Sequence, residues 1–302
     1  VCTLLLATER LIRLSTRLAF MLRLSPLIIG VTVVAIGTSL PELAVSAIAS
    51  IKGDFGLAVG NIIGSNIINV LLVFALGVFA GNVKVGTKKT QRNVYFLTFI
   101  SCLFVVMLLL KLHPLIFASV SLSLCFLFTI MEYRWGVTGR NLEDKLLLKM
   151  TKKSKVTNAD YGVLVLCLIL IFAGGYLVVE GVKYMALITG YSTNVLGLTV
   201  TAIATSLPEI IATVMSSRSK QAKLLLGNIM GSNVYNILLI GGISSLWMTT
   251  YQLPIVDTVF FLLSTFLFFI IIVGFKGKIL PRFVGVSLFA LCAVYFLSLS
   301  NL

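Results

Sequence analysis

An 18-residue stretch of this chain occurs twice. SPLIIGVTVVAIGTSLPE (25–42) and STNVLGLTVTAIATSLPE (192–209) share 11 positions at an offset of 167 residues. The same offset, without a gap, lays LAVGNIIGSNIINVLL (57–72) on LLLGNIMGSNVYNILL (224–239). Glu42 falls on Glu209, Asn61 on Asn228, Ser65 on Ser232 and Asn69 on Asn236. Two segments matching in one register do not arise by chance. The chain is a duplication, and its fold must be buildable twice from one plan.

The material of each copy follows from where charges are missing. Charged residues make up 11% of the chain and hydrophobic ones 59%, whereas a soluble domain carries roughly 25% charge. Between Asp54 and Lys84 lie 29 uncharged residues, and between Lys223 and Asp257 there are 33. Arg92–Lys111, His113–Glu132 and Asp257–Lys276 each enclose 18, and 20 follow Arg282. A membrane-crossing helix needs about 20 apolar residues. Segments 24–51, 161–182 and 184–217 have the length with one internal acid each, Glu42, Glu180 and Glu209. The pattern predicts an all-α membrane protein of ten transmembrane helices, near 1–22, 25–50, 56–79, 93–111, 114–131, 161–187, 192–216, 224–247, 254–275 and 283–300. The first is the poorest, because Glu9, Arg10, Arg13 and Arg17 interrupt it.

The net charge of +14 invites a nucleic-acid partner, but its distribution argues against one. The loops after helices 1, 3, 5, 7 and 9 hold 18 Lys and Arg; those after helices 2, 4, 6 and 8 hold only Lys52 and Lys111. Positive loops stay in the cytoplasm, so both termini are expected outside. Helix 2 then starts in the cytoplasm and helix 7 outside. The expected architecture is two inverted five-helix repeats, 1–131 and 161–302, with their repeated motifs at 25–75 and 192–242 and a cytoplasmic linker at 132–160. Inverted repeats place a substrate site near the bilayer midplane, between the halves.

Glu42 and Glu209 each lie 17 residues into their helices by the repeat register. A carboxylate at the centre of a span costs at least ~2.5 kcal/mol and marks a functional site by default. No Lys or Arg lies within helices 2, 3, 7 or 8 to neutralise it, so the expected partner is a cation or a proton. Oxygen donors surround both. Thr38 and Ser39 precede Glu42 by four and three residues, and Thr205 and Ser206 precede Glu209 likewise, on the same helical face. Pro41 and Pro208 leave the Gly37 and Ala204 carbonyls without an N–H partner, so the helices are expected to kink there. Asn61, Ser65 and Asn69 form one stripe on helix 3, as do Asn228, Ser232 and Asn236 on helix 8; Asn66 and Asn233 lie off it and suit interhelical hydrogen bonding. Gly60, Gly64, Gly227 and Gly231 have the GxxxG spacing of close helix packing. An all-oxygen, doubly anionic site fits a hard cation such as Ca2+, and its hydroxyls also suit Na+. The five cysteines lack ligand spacing and His113 stands alone at a helix end, so zinc, disulfides and histidine chemistry are not expected.

GTSLPE with GNIIGSNIIN, repeated as ATSLPE with GNIMGSNVYN, resembles the paired motifs of the cation/Ca2+ exchanger superfamily, and most of all its prokaryotic Na+/Ca2+ exchanger branch. The resemblance covers essentially the whole chain. It implies an antiporter exchanging Na+ for Ca2+, in a prokaryotic cell (inner) membrane, with no cofactor and no obligatory protein partner. It implies ion ligands at Thr38, Ser39, Glu42, Ser65, Asn69, Thr205, Ser206, Glu209, Ser232 and Asn236, with the backbone carbonyls of Ala35 and Ala202. It also makes helices 1 and 6 a mobile pair sliding on the other eight. Three positions depart from the family pattern. Ala204 replaces Gly, a change expected to affect packing only. Asn236 stands where many relatives have Asp, which bears on ion stoichiometry and K+ dependence. Only eight residues precede Glu9, where relatives have more apolar sequence, so the first helix is expected to be incomplete.

Other readings remain open at this stage. A Ca2+/H+ or K+-dependent exchanger would use the same scaffold, although the H+-coupled branch carries a Gly-Asn-Ala-Thr element that Thr-Ser-Leu-Pro replaces here. A cation channel is disfavoured by the inverted duplication, and an intramembrane hydrolase by the lack of a nucleophile–base pair. The topology has a direct test. On a background without native cysteines, single cysteines placed in 132–160 should be labelled only from the cytoplasm, and those near Gly190 only from outside. The opposite pattern removes the inverted-repeat argument.

Overall fold

Backbone groups inside a bilayer must find their hydrogen bonds within the protein, and uncharged runs of this length do so as helices. The computed structural model describes residues 2–21, 29–138, 157–247 and 255–299. They form helices joined by short turns, with one isolated antiparallel bridge between Lys84 and Ile279. In chain order these are α1 (Cys2–Met21), α2 (29–51), α3 (Phe55–Ala80), α4 (Lys88–Leu109), α5 (Pro114–Thr138), α6 (Asn158–Thr189), α7 (193–218), α8 (Ala222–Ser245), α9 (Ile255–Gly274) and α10 (Arg282–Leu299).

Seven of these are long and apolar enough to cross a membrane, namely α3, α4, α5, α6, α8, α9 and α10. The bent helices α2 and α7 bring the number to nine if each is one span. Helix α1 has the length but carries Glu9, Arg10, Arg13 and Arg17 and is not among them. Two expected boundaries move. Helix α5 runs on to Thr138 and α6 begins at Asn158, so the segment expected at 132–160 is shorter at both ends. The start of α6 is set by a capping box, in which the Thr157 side chain and the Asp160 carboxylate satisfy each other's backbone N–H groups. The central linker residues 139–156, the start expected for helix 2 at 25–28 and the turn at 248–254 lie outside the described residues.

Burial separates a centre from a rim. The apolar windows of α3 and α8 are 83% and 89% buried, against 28–50% for the other five straight helices. These two are the helices built from Gly, Ser and Asn. A Cβ on Gly64 would lie 2.7 Å from the Leu198 carbonyl oxygen and 2.9 Å from Ala202 Cβ on α7. A Cβ on Gly231 would lie 2.4 Å from the Val31 oxygen and 2.6 Å from Ala35 Cβ on α2. The partners are related by the same 167-residue offset as the glycines themselves. Thus α3 of the first copy packs on α7 of the second, and α8 on α2, with backbone against backbone. The chain is interlocked across its copies.

At the rim, α1 lies along α6, with Ala7 and Leu11 against Cys167, Ile171 and Ala44. Glu180 of α6 forms an ion pair with Lys52 in the turn after α2, and the Lys52 ammonium also lies 3.9 Å from the Tyr176 ring centre. The hydrogen bond with Glu180 pushes the Lys52 amine above its ordinary value. Arg92 and Glu132 join α4 to α5. The five cysteines are free.

These contacts predict that glycine is required only where a backbone crosses. Gly64→Ala and Gly231→Ala should each lose about 1–3 kcal/mol, read as earlier thermal unfolding in detergent. Gly162→Ala and Gly181→Ala, where nothing lies within 4 Å of the added atom, should melt like the parent. Equal melting of all four variants would contradict the packing described.

Candidate functional site

Helices α2 and α7 break at equivalent places. The segments on either side of Ser39 meet at 50°, and those around Ser206 at 43°. The cause is Pro41 and Pro208, which sit in the first turn of the second segment and cannot donate to the residue four earlier. Each break starts a new helix, Leu40–Ile51 or Leu207–Arg218, with Glu42 or Glu209 in its first turn. Unpaired N–H groups and the helix dipole favour a carboxylate at that place. The sequence demands the bend, and the bend seats the acid.

The two carboxylates are fully buried and held crosswise. Ser206 donates to Glu42 Oε1 at 3.2 Å, and Ser39 donates to Glu209 Oε1 at 3.3 Å. Each acid is therefore held by the serine of the other copy. Thr38 is 3.3 Å from Asn228 Oδ1 and 3.2 Å from the Ser232 hydroxyl, and Thr205 is 3.3 Å from Asn61 Oδ1. The site is thus made of α2 and α8 on one side and α7 and α3 on the other.

What the protein leaves unsatisfied is as informative. Glu42 Oε2, Glu209 Oε2, the Ser65 hydroxyl, Asn69 Oδ1 and both amide atoms of Asn236 are buried without a hydrogen-bond partner. Buried polar atoms normally find partners, and although other such atoms lie elsewhere in the bundle, these six belong to residues of the four crossing helices and include an unpartnered oxygen on each carboxylate, which suits a species that takes oxygen ligands. Asn69 and Asn236 each open a π-helical turn, Asn69–Val73 and Asn236–Ile240, a distortion frequent at functional sites. Among the described residues no group of three His, Cys, Asp and Glu could hold a metal ion. Neutral oxygens would have to complete any coordination here.

The side chains expected from the sequence lie on these four crossing helices, all buried: Thr38, Ser39, Glu42, Ser65 and Asn69, with Thr205, Ser206, Glu209, Ser232 and Asn236. The Ala35 carbonyl accepts from Ser39 N–H at 3.0 Å and from the Thr38 hydroxyl at 3.2 Å. The Ala202 carbonyl accepts from Ser206 N–H at 3.0 Å and from the Thr205 hydroxyl at 3.4 Å. The asparagines divide their work largely as the sequence predicts. Asn61 donates to Ser46 at 2.9 Å and to the Glu42 carbonyl at 3.4 Å, and Asn228 donates to Thr213 at 3.5 Å. They too tie helices together, beside Asn233, whose bond to Asn69 joins α8 to α3 as expected; only Asn66 departs from the expectation. Asn66 turns back on the Ile62 carbonyl of its own helix, and Asn233 accepts from Asn69 at 3.5 Å. Ser46 and Thr213 were missed. They are equivalent in the repeat, one turn beyond each glutamate, and a search for paired hydroxyls in that register would have found them.

Comparison with known proteins bears on the whole chain. A family model described as sodium/calcium exchanger protein matches residues 1–133 and 160–300. The putative antiporter CaxA of Alkalimonas amylolytica is 33% identical over 243 residues, 80% of this chain and 76% of its own. The sodium/calcium exchanger MaX1 of Methanosarcina acetivorans is 28% identical over 276 residues, with 80% of this chain and 79% of its own covered. Among solved structures, the sodium-calcium exchanger NCX_Mj soaked with Na+ and Ca2+ superposes with a TM-score of 0.71 at 28% identity, covering 100% of this chain and 95% of that one. With its duplicated Thr-Ser-Leu-Pro-Glu bends, crossed carboxylates and this breadth of likeness, the chain belongs to the sodium/calcium exchanger protein family.

Proposed function

We propose that this chain is a secondary antiporter, not an enzyme, that exchanges Na+ for Ca2+ by alternating access. The reading includes ten spans in two inverted five-helix repeats and an ion site at the bilayer midplane between them. The observation that carries it is the pair of buried glutamates, each tied to the opposite copy through one oxygen and unpartnered at the other. Glu180, also within an apolar segment, has Lys52; among the described residues neither Glu42 nor Glu209 has an ion-pair partner. Two carboxylates with hydroxyl and amide oxygens suit Ca2+, which takes six to eight oxygens, roughly. The ions are cargo, and each must leave on the opposite side. The names of the relatives, an antiporter and sodium/calcium exchangers, support the choice of Na+ over H+.

The carbonyls of Ala35 and Ala202 fit this reading. Each accepts one helix N–H, and the neighbouring hydroxyl has another acceptor for its single proton, Asn228 Oδ1 at 3.3 Å for Thr38 and the Thr201 carbonyl at 3.0 Å for Thr205, which leaves the alanine carbonyl a lone pair for the ion. The location we propose is the cell membrane of a prokaryote, with the bilayer as the only obligatory surroundings.

Glu42→Gln or Glu209→Gln keeps the shape and removes half the site's formal charge. Each variant should remain folded and lose Na+-driven uptake of labelled Ca2+ into proteoliposomes. Wild-type rates in both variants would defeat the site assignment, and uptake driven by a pH gradient but not by Na+ would move the protein to the H+-coupled reading.

Charge movement is a separate expectation. With Glu42 and Glu209 ionised and Asn69 and Asn236 neutral, the site carries −2, which one Ca2+ or two Na+ would neutralise. A third Na+ would find only neutral oxygens and bind most weakly. Exchange of three Na+ for one Ca2+ moves one charge, worth about 2.3 kcal/mol per 100 mV. Flux in liposomes clamped with valinomycin and K+, after excluding K+ as a substrate, should follow the potential, with a negative interior favouring Ca2+ extrusion. Asn236→Asp should alter the Na+ dependence. Indifference to potential would indicate two Na+ for one Ca2+.

A further inference from the structure

The turn from α3 to α4 and the turn from α9 to α10 come from different copies and are stitched together by their backbones. Val85 N–H donates to the Lys278 carbonyl at 3.1 Å, Gly277 N–H to Val85 at 2.8 Å and Leu280 N–H to Val83 at 2.9 Å. Val83, Val85 and Leu280 are buried and anchor the pair to the core. Gly86 sits at φ +81°, and a Cβ there would be 2.3 Å from the Lys276 Cα. The two turns form one rigid platform.

That platform is strongly cationic. Lys84, Lys88, Lys276, Lys278 and Arg282 are exposed, and none of them forms a salt bridge among the described residues. No Asp or Glu occurs in 55–131 or 258–302, and Glu132, next in the chain, is held by Arg92. Beside the cations stand exposed apolar side chains, Ile279 at 54% and Phe283 at 62%. The positive-inside rule accounts for cations near these helix ends. It requires neither a backbone tie between two distant turns nor a fixed cluster. The fold does not require the charge either. The repeat offset maps these turns onto 248–254 and 108–114, where Lys111 is the only Lys or Arg.

We propose that this two-turn platform is a binding site for the headgroup of an anionic phospholipid, its phosphate held among Lys84, Lys276, Lys278 and Arg282 and its acyl chains against Ile279 and Phe283. Lipid phosphate at a polybasic membrane surface gains roughly fivefold in affinity per cation. Fixing the cations on a tied backbone adds the preorganisation that a flexible basic segment lacks.

The test uses the purified full chain in neutral detergent, titrated with phosphatidylglycerol or phosphatidylcholine, with retained lipid read by native mass spectrometry and stabilisation by thermal melting. The parent should retain and be stabilised by phosphatidylglycerol alone. Lys84→Gln/Lys276→Gln/Lys278→Gln should melt like the parent in phosphatidylcholine and lose on the order of a hundredfold in phosphatidylglycerol affinity. Lys152→Gln/Lys153→Gln/Lys155→Gln, which removes the same charge from the central linker, should bind like the parent. If the triple platform variant does not assemble, Lys278→Gln alone should weaken binding about fivefold. Parent-like binding by the platform variants, or an equal loss in the linker variant, overturns the proposal. Stabilisation by inorganic phosphate to the same degree also overturns it, because the site would then be one for a free anion.

Discussion

The break in the helix at Ser39, repeated at Ser206, is the constraint on which the rest of the structure depends. In a bilayer a helix cannot be interrupted without stranding backbone groups, unless the surrounding protein receives them. Here two interrupted helices lie within one bundle, and the polar helices α3 and α8 cover the breaks. Each break converts a helix interior into a helix N-terminus, where a carboxylate is tolerated. A glutamate in an unbroken span would have neither the dipole nor the local donors. The burial of Glu42 and Glu209, the glycines packed on the bent helices and the stripe of Asn and Ser all follow from enclosing those two bends.

Enclosure is achieved by exchange between copies. Gly64 admits Leu198 and Ala202, and Gly231 admits Val31 and Ala35, at distances that leave no room for a methyl group. The same exchange crosses the serine–glutamate hydrogen bonds. Neither copy alone could complete its site, since each carboxylate takes its serine from the other. The duplication is therefore a condition of the site's chemistry as well as a record of its origin.

Where the copies differ, the difference separates the demands of the fold from other demands. The bends, glycines, π-turns and polar stripes recur in both halves, because the duplicated packing needs them twice. Beyond the two glutamates, charge recurs little. The tied turns around Lys84 and Lys278 are basic while their equivalents hold only Lys111, and Glu180 pairs with Lys52 on one side of the molecule. The duplicated packing does not account for these features.

Much was legible in the residues alone. The uncharged runs required membrane-length helices, the 167-residue register revealed two copies, and proline beside a central acid announced the bend. Those signals are local, or are periodic along one chain, and a sequence displays them directly. The partners were not legible. That Ser39 serves Glu209 rather than Glu42, that Asn61 ties α2 to α3 and α7, and that Ser46 and Thr213 belong to the network depend on which helices cross and at what depth. Nor could composition show that turns near residues 84 and 278 share hydrogen bonds. Helix formation is decided by residues four apart, whereas these contacts join residues of different helices or turns, 15 apart for Asn61 and Ser46 and 170 apart for Ser39 and Glu209, and only close packing of the finished bundle brings them within reach.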